Sequence, residues 1–114
     1  MLEQFEIIIK ALSDKNRIRI IKMLQKKSLC VCEITAILKL AASTVSKHLS
    51  ILRDAGFIRD WKEGKWINYE INPEPSNLVS NSLIFVHLQL EEDETVKKDR
   101  EIIKSVNRVI LCCK

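Results

Sequence analysis

Residues 43–71 read STVSKHLSILRDAGFIRDWKEGKWINYEI, and two different periods meet inside them. In the first half Val45, Leu49, Leu52 and Ala55 recur on one helical face, while Thr44, Ser46, Lys47, Ser50 and Arg53 fall on others. That spacing predicts a helix with a buried stripe and a short polar front. Gly56 stops the helix, since glycine enters a left-handed C-terminal position without a Cβ penalty. In the second half Ile67, Tyr69 and Ile71 alternate with Trp66, Asn68 and Glu70, which is the period of a strand. Phe57 to Lys62 and Lys65 to Ile71 therefore pair as a β-hairpin around Glu63-Gly64, and Lys62 and Lys65 make its tip basic.

Upstream, Phe5, Ile8, Ile9 and Leu12 share one helical face, and Ser13 or Asp14 can cap a second helix carrying Ile18, Ile21 and Leu24. Val31, Ile34 and Leu38 mark a third helix that starts near Cys30 to Cys32 and ends around Lys39. Downstream, Pro73 and Pro75 close the hairpin, and two more helices divide at the acidic run Glu91 to Glu94. The first packs Leu78 to Leu90 with apolar side chains; the second carries Val96, Ile102, Ile103, Val106, Val109 and Ile110 at helical spacing. The chain is thus mainly α with a small β-hairpin. Residues 1–76 form a core with an N-terminal helix, and residues 77–114 add C-terminal helices and a Cys-Cys tail within one compact domain. The apolar faces at both ends exceed what one small core can bury, so a homodimer through the N- and C-terminal helices is expected.

A chain of 114 residues, with 30% charged side chains and only two Gly and two Pro, supports one small core and excludes a multidomain enzyme or a disordered segment. No run of about 18 uncharged apolar residues is present, and Met1 to Lys10 lacks a basic start and cleavage site, so a cytoplasmic location without membrane contact is expected. In that reducing compartment the four cysteines, placed as two tight pairs, read as metal ligands or redox sensors rather than a disulfide framework. Charge is uneven: from Asp14 to Lys65 twelve basic residues face five acidic ones, a net +7 within a chain of net +4. Phosphates would meet this middle region.

Helix, turn, polar-fronted helix and basic hairpin is the order of a winged helix-turn-helix. Ser43, Thr44, Ser46 and Ser50 supply hydroxyls for phosphates or base edges of double-stranded operator DNA, and Lys47, Arg53, Lys62 and Lys65 supply charge that holds the register. His48 is placed between the buried stripe and a phosphate contact.

LSDKNRIRII, LCVCEITAIL, STVSKHLSILRDAGFI and EGKWINYEI together resemble the ArsR/SmtB family of metalloid- and metal-responsive repressors over about Phe5 to Ile71. The resemblance implies a cytosolic homodimer that represses transcription, with Ser43 to His48 on its recognition helix and the hairpin as its wing. Lys15 stands where the family often has proline, and Ala41-Ala42 where it often has Ser-Gln, which removes a serine cap from the recognition helix. LCVCEI resembles the arsenic-sensing subclass, which implies an As(III) or Sb(III) inducer on three thiolates and no organic cofactor.

Cys30 and Cys32 lie at the start of the third helix, where unpaired backbone N–H groups favour thiolate, so both sulfurs are expected to react near neutral pH. Residues two apart point about 200° apart on a regular helix, so one soft ion takes both sulfurs only if Cys30 precedes the helix or the first turn unwinds. Thr35 stands where the subclass has its third cysteine, which leaves Cys112 or Cys113 as the third donor. Zinc would want four donors, often with imidazole, and His48 and His87 sit in no evident cluster; cadmium or lead at the cysteine pairs stays open. A redox switch at the same thiols is the second reading. A small thiol reductase is a remote one, since no Cys-x-x-Cys or acid-base set is visible and no enzyme is expected.

Overall fold

Why the elements stop where they do is visible in their caps. The computed structural model of the chain describes residues 1–106 and places six helices: α1 (Leu2–Ala11), α2 (Lys15–Leu24), α3 (Val31–Leu38), α4 (Ala42–Asp54), α5 (Asn77–Leu88) and α6 (Glu94–Ser105). Asp14 caps α2 by accepting from the N–H groups of Asn16 and Arg17, and Ser76 and Asp93 cap α5 and α6. Lys39 ends α3 in the left-handed region at φ 56°, and Leu40 and Ala41 complete the turn into α4. Gly56 at φ 91° and Gly64 at φ 60° close α4 and the hairpin, as their positions in the sequence predicted.

Three antiparallel strands stand beside the helices in the order β1 (Leu29–Cys30), β3 (Trp66–Ile71), β2 (Ile58–Glu63). The hairpin runs from Ile58↔Ile71 to Glu63↔Trp66, and the predicted wing is present. The two-residue strand β1 was not legible, being too short for any alternation; it pairs Leu29 with Tyr69 and Cys30 with Asn68.

Val45, Leu49, Leu52 and Ala55 enter one core with Ile20, Ile21, Leu24, Ile34, Phe57 and Ile58. The α6 stripe is buried within the chain too. Val96 and Ile103 are buried, and α6 packs on α2 and α3. The Asp99 carboxylate, itself buried, accepts from Arg19 Nε and Nη2 at 2.9 Å each. Among the described residues the exposed large apolar side chains lie on α1 (Leu2, Phe5, Ile7, Ile9), α5 (Ile84, Phe85, Leu88) and the hairpin (Trp61, Ile67), with Met1 and Leu90 beside the helices, and none is on α6. The α6 apolar face thus has a partner in α2 within the chain, and α5 carries exposed apolar side chains at the C-terminal end. Val109 and Ile110 lie outside the described residues. No helix among the described residues is long and apolar enough to cross a membrane.

Candidate nucleic-acid interface and thiol site

The buried stripe of α4 fixes which side chains it presents outward. With Val45, Leu49 and Leu52 inside, Ser43, Thr44, Ser46, Lys47 and Arg53 are exposed and Ser50 is half-buried. Three hydroxyls and a lysine within the first two turns thus form a polar front beside unpaired helical N–H groups, a surface that can bond phosphate and base edges. No side chain caps this helix, because Ala41 stands at the cap position. Lys62 and Lys65 are exposed at the wing tip, and the Lys65 ammonium sits 5.8 Å from the Trp66 ring centre. The structure thus brings Ser43 to Ser50 onto one helix and Lys62 and Lys65 onto the adjoining hairpin.

Several of the basic side chains counted in the sequence are matched by acids from other elements. Arg53 pairs with Asp60 at 3.2 Å and Asp54 at 3.8 Å, and the Asp60 carboxylate raises its pKa further above the ordinary value. Arg59 pairs with Glu70. Arg19 is taken by Asp99, and Lys22 is buried, donating to the carbonyls of Val86, His87 and Gln89 and pairing with Glu91. The free positive charge facing outward is smaller than the linear count of twelve suggests. Spacing along the chain carries no signal for such pairs, which form between residues up to 80 positions apart.

His48 is half-buried, and its Nδ1 lies 3.1 Å from Arg17 Nη1. It is therefore a boundary side chain tied to α2, with the other edge of its ring left for solvent or a ligand.

Cys30 is the N-cap residue of α3, in extended conformation at the end of β1. Its thiol faces the backbone N–H of Glu33, while the Glu33 carboxylate accepts from Cys30 N–H at 2.8 Å, a reciprocal capping box. Glu33 itself is buried. Burial pushes the Cys30 thiol above its ordinary pKa, and the Glu33 carboxylate adds to that, outweighing the backbone N–H groups of Glu33 and Cys32. This corrects the expectation of a low-pKa Cys30. The helix terminus does act on the sulfur, but a fully buried thiol beside a buried carboxylate loses more on ionising than the terminus restores. Cys32 is half-buried in the first turn. Because Cys30 precedes the helix, the two sulfurs are not held at the angular separation of a regular turn, and the first of the two geometric conditions for sharing a ligand is met.

Cys30 is a buried thiol whereas Cys32 is disulfide-bonded, and among the described residues no group of three or more His, Cys, Asp or Glu side chains could hold a metal ion. Cys112 and Cys113 lie outside the described residues.

Sequence comparison agrees with this geometry. Residues 14–60 match the family model described as bacterial regulatory protein, arsR family. The Bacillus subtilis arsenical resistance operon repressor is 38% identical over 85 residues, covering 73% of this chain and 81% of that protein. The Pseudomonas putida arsenic resistance transcriptional regulator ArsR1 is 39% identical over 69 residues, and the match spans 60% of this chain but only 54% of that protein. Among solved structures, a homodimeric winged helix-turn-helix DNA-binding domain from Mycobacterium bovis superposes with a TM-score of 0.66 at 25% identity, covering 85% of each chain. On the extent of the Bacillus match and on the shared architecture, the chain belongs to the arsR family as a winged helix-turn-helix regulatory protein.

Proposed function

We propose that the chain is a transcriptional repressor that holds operator DNA as a homodimer and is released when As(III) or Sb(III) binds its cysteine thiolates. The observation that carries this reading is the position of Cys30, which joins three parts at once: it caps α3, ends β1, and pairs with Asn68 of the wing strand. Ser43, Thr44, Ser46, Lys47 and Ser50 read or clamp the major groove, Lys62 and Lys65 hold the flanking backbone, and Arg53 and His48 orient from the helix edge. The exposed apolar faces of α1 and α5 meet their counterparts in the second chain.

Cys30, Cys32 and one of Cys112 or Cys113 hold the ligand as three thiolates. Val106 packs on the core at the end of α6, a helix lying against α3, and Cys112 is six residues further along the chain.

Each As–S bond forms as one As–OH and one S–H bond break and water leaves, and closing on the ligand draws the Cys30 sulfur away from the Glu33 N–H. The sulfur half of the cap is then lost while the Glu33 carboxylate still accepts from Cys30 N–H, which loosens the first turn of α3 and strains the pairing of β1 with the wing. Since α3 packs on α4 and β1 on β3, both DNA-facing elements feel one event. Ligand and operator favour different states and exclude each other by linkage.

The second reading is a redox switch at the same thiols, and the disulfide at Cys32 is the observation that favours it. The test uses a duplex enriched from a random pool by the reduced protein. Arsenite should displace the wild type, and Cys30→Ser and Cys32→Ser should bind the duplex yet resist displacement, with Cys112→Ser or Cys113→Ser doing the same. Equal responsiveness of all four variants contradicts the thiol site; displacement by peroxide but not arsenite transfers the site to the redox reading.

A further inference from the structure

Arg17 uses every nitrogen of its guanidinium inside the chain. Nε donates to Ala11 O at 2.8 Å, Nη2 donates to Lys10 O at 3.1 Å, and Nη1 lies 3.1 Å from His48 Nδ1. The first two acceptors are carbonyls of the last turn of α1; Lys10 O also accepts from Ser13 N–H at 3.1 Å and Ser13 Oγ at 2.7 Å. The third is on α4, in the middle of the helix that presents Ser43 to Ser50. A guanidinium stays protonated and has no acceptor, so His48 Nδ1 must offer its lone pair, and the neutral ring then carries its proton on Nε2. Asp14 anchors the root of Arg17 by accepting from its backbone N–H at 3.3 Å, and the same carboxylate is attracted to the Arg17 charge.

We infer that Arg17 is a positioning residue for operator binding. It locks the reading helix to the end of α1, whose apolar face is covered by the second chain in the proposed dimer, and so sets the placement of the two reading helices relative to the dimer axis. It also fixes the His48 tautomer with an N–H donor on Nε2, the ring edge not occupied by Arg17. The inference rests on the homodimeric DNA-binding reading above and goes beyond it in assigning this residue and this bond.

The test compares variants on the enriched duplex across a salt series, with sedimentation and melting of each variant measured in parallel. Arg17→Lys keeps the charge but cannot span three acceptors, and it should weaken binding about tenfold, the size of one lost charge-assisted hydrogen bond. Arg17→Gln should weaken it similarly while leaving the slope of log affinity against log salt unchanged. A direct phosphate contact would instead lower that slope by about 0.9. His48→Asn and His48→Leu approach the bond from the other side. Both lose Nε2–H, but the asparagine keeps an acceptor near the Nδ1 position, so the leucine variant should bind about tenfold more weakly than the asparagine variant.

Wild-type affinity in Arg17→Lys, equal affinities in His48→Asn and His48→Leu, or a reduced salt slope in Arg17→Gln overturns the inference. Nitrogen NMR of His48 at about pH 8, well above the ordinary histidine pKa, judges it without DNA: an Nε2–H ring is expected, and an Nδ1–H ring overturns it. Failure of the wild type to enrich any duplex would instead remove the DNA-binding reading itself.

Discussion

Replacing Lys22 by methionine probes the least expected feature of the fold, an ammonium buried to 1% exposure and surrounded by acceptors. Lys22 Nζ donates to Val86 O at 3.2 Å, His87 O at 3.1 Å and Gln89 O at 2.8 Å, and it pairs with Glu91. It thereby bonds three carbonyls at the end of α5, of which Val86 O also accepts from the Gln89 N–H. Methionine matches most of the aliphatic stem, so little cavity is created and the loss is polar. His87 and Gln89 are exposed and their carbonyls can turn to water. Val86 is buried but its carbonyl still accepts from the Gln89 N–H at 3.1 Å, so what is lost is the charge-assisted bonding of the ammonium itself, about 1–3 kcal/mol. The ion pair adds little beyond this, because Glu91 is 43% exposed, is screened by solvent and keeps Arg100 as a partner. Lys22→Met should therefore lower stability by about 1–3 kcal/mol, a large share of the roughly 5–15 kcal/mol that holds a domain of this kind together. Urea denaturation read by far-ultraviolet circular dichroism gives the difference directly. A Lys22→Met protein within about 0.5 kcal/mol of wild type would refute the reasoning, for it would mean that an apolar side chain serves there as well as the ammonium, as some buried ion pairs permit.

Glu91 carries a pH signature of the same junction: hydrogen bonds from Arg100 and then Lys22 lower its carboxyl from 4.5 to about 2. A depressed carboxylate stabilises fully above its unfolded pKa and loses that contribution as pH falls from 4.5 toward 2, so urea midpoints should fall more steeply over that window in wild type than in Glu91→Gln. Equal slopes would rule out the pairing. Asp99→Ala strands Arg19 against a buried site and should cost about 3–5 kcal/mol by thermal or urea unfolding; a loss below about 1 kcal/mol would show that Arg19 simply rotates into water. Ala41→Ser supplies the side-chain cap that α4 lacks, at a residue already extended (φ −60°, ψ 143°) and exposed, and should raise stability by about 1 kcal/mol, seen as a higher melting temperature. An unchanged or lower melting temperature would mean that α4 begins elsewhere in solution.

How far the sequence carried is clearest in α4 and the wing. The Val45, Leu49, Leu52 stripe and the Glu63-Gly64 turn are local signals, fixed by periods of about 3.6 and 2, and both appear where the spacing placed them. Charge was legible only as a sum. Arg19 and Lys22 look like surface cations in the sequence, yet Asp99, 80 positions away, and Glu91, 69 positions away, bring both inside. Cys30 was correctly placed at a helix start, but its raised pKa comes from its own burial and from the buried Glu33 carboxylate beside it, neither of which has a periodic signature. A glutamate three residues after the cap was the available clue, since that spacing is the capping box. Arg17 and His48 lie 31 positions apart and meet through the packing of α2 on α4, which no local reading supplies.

Exclusion between thiol ligand and operator is tested most directly by one pair of titrations on the reduced protein: the enriched duplex titrated with the dimer in the absence of arsenite and again at saturating arsenite. Loss of the Cys30 cap predicts an affinity at least about fivefold weaker in the loaded protein, and an equal weakening of arsenite binding when duplex is present. A loaded dimer that grips the duplex as firmly as the empty one would contradict the coupling and leave only the architecture.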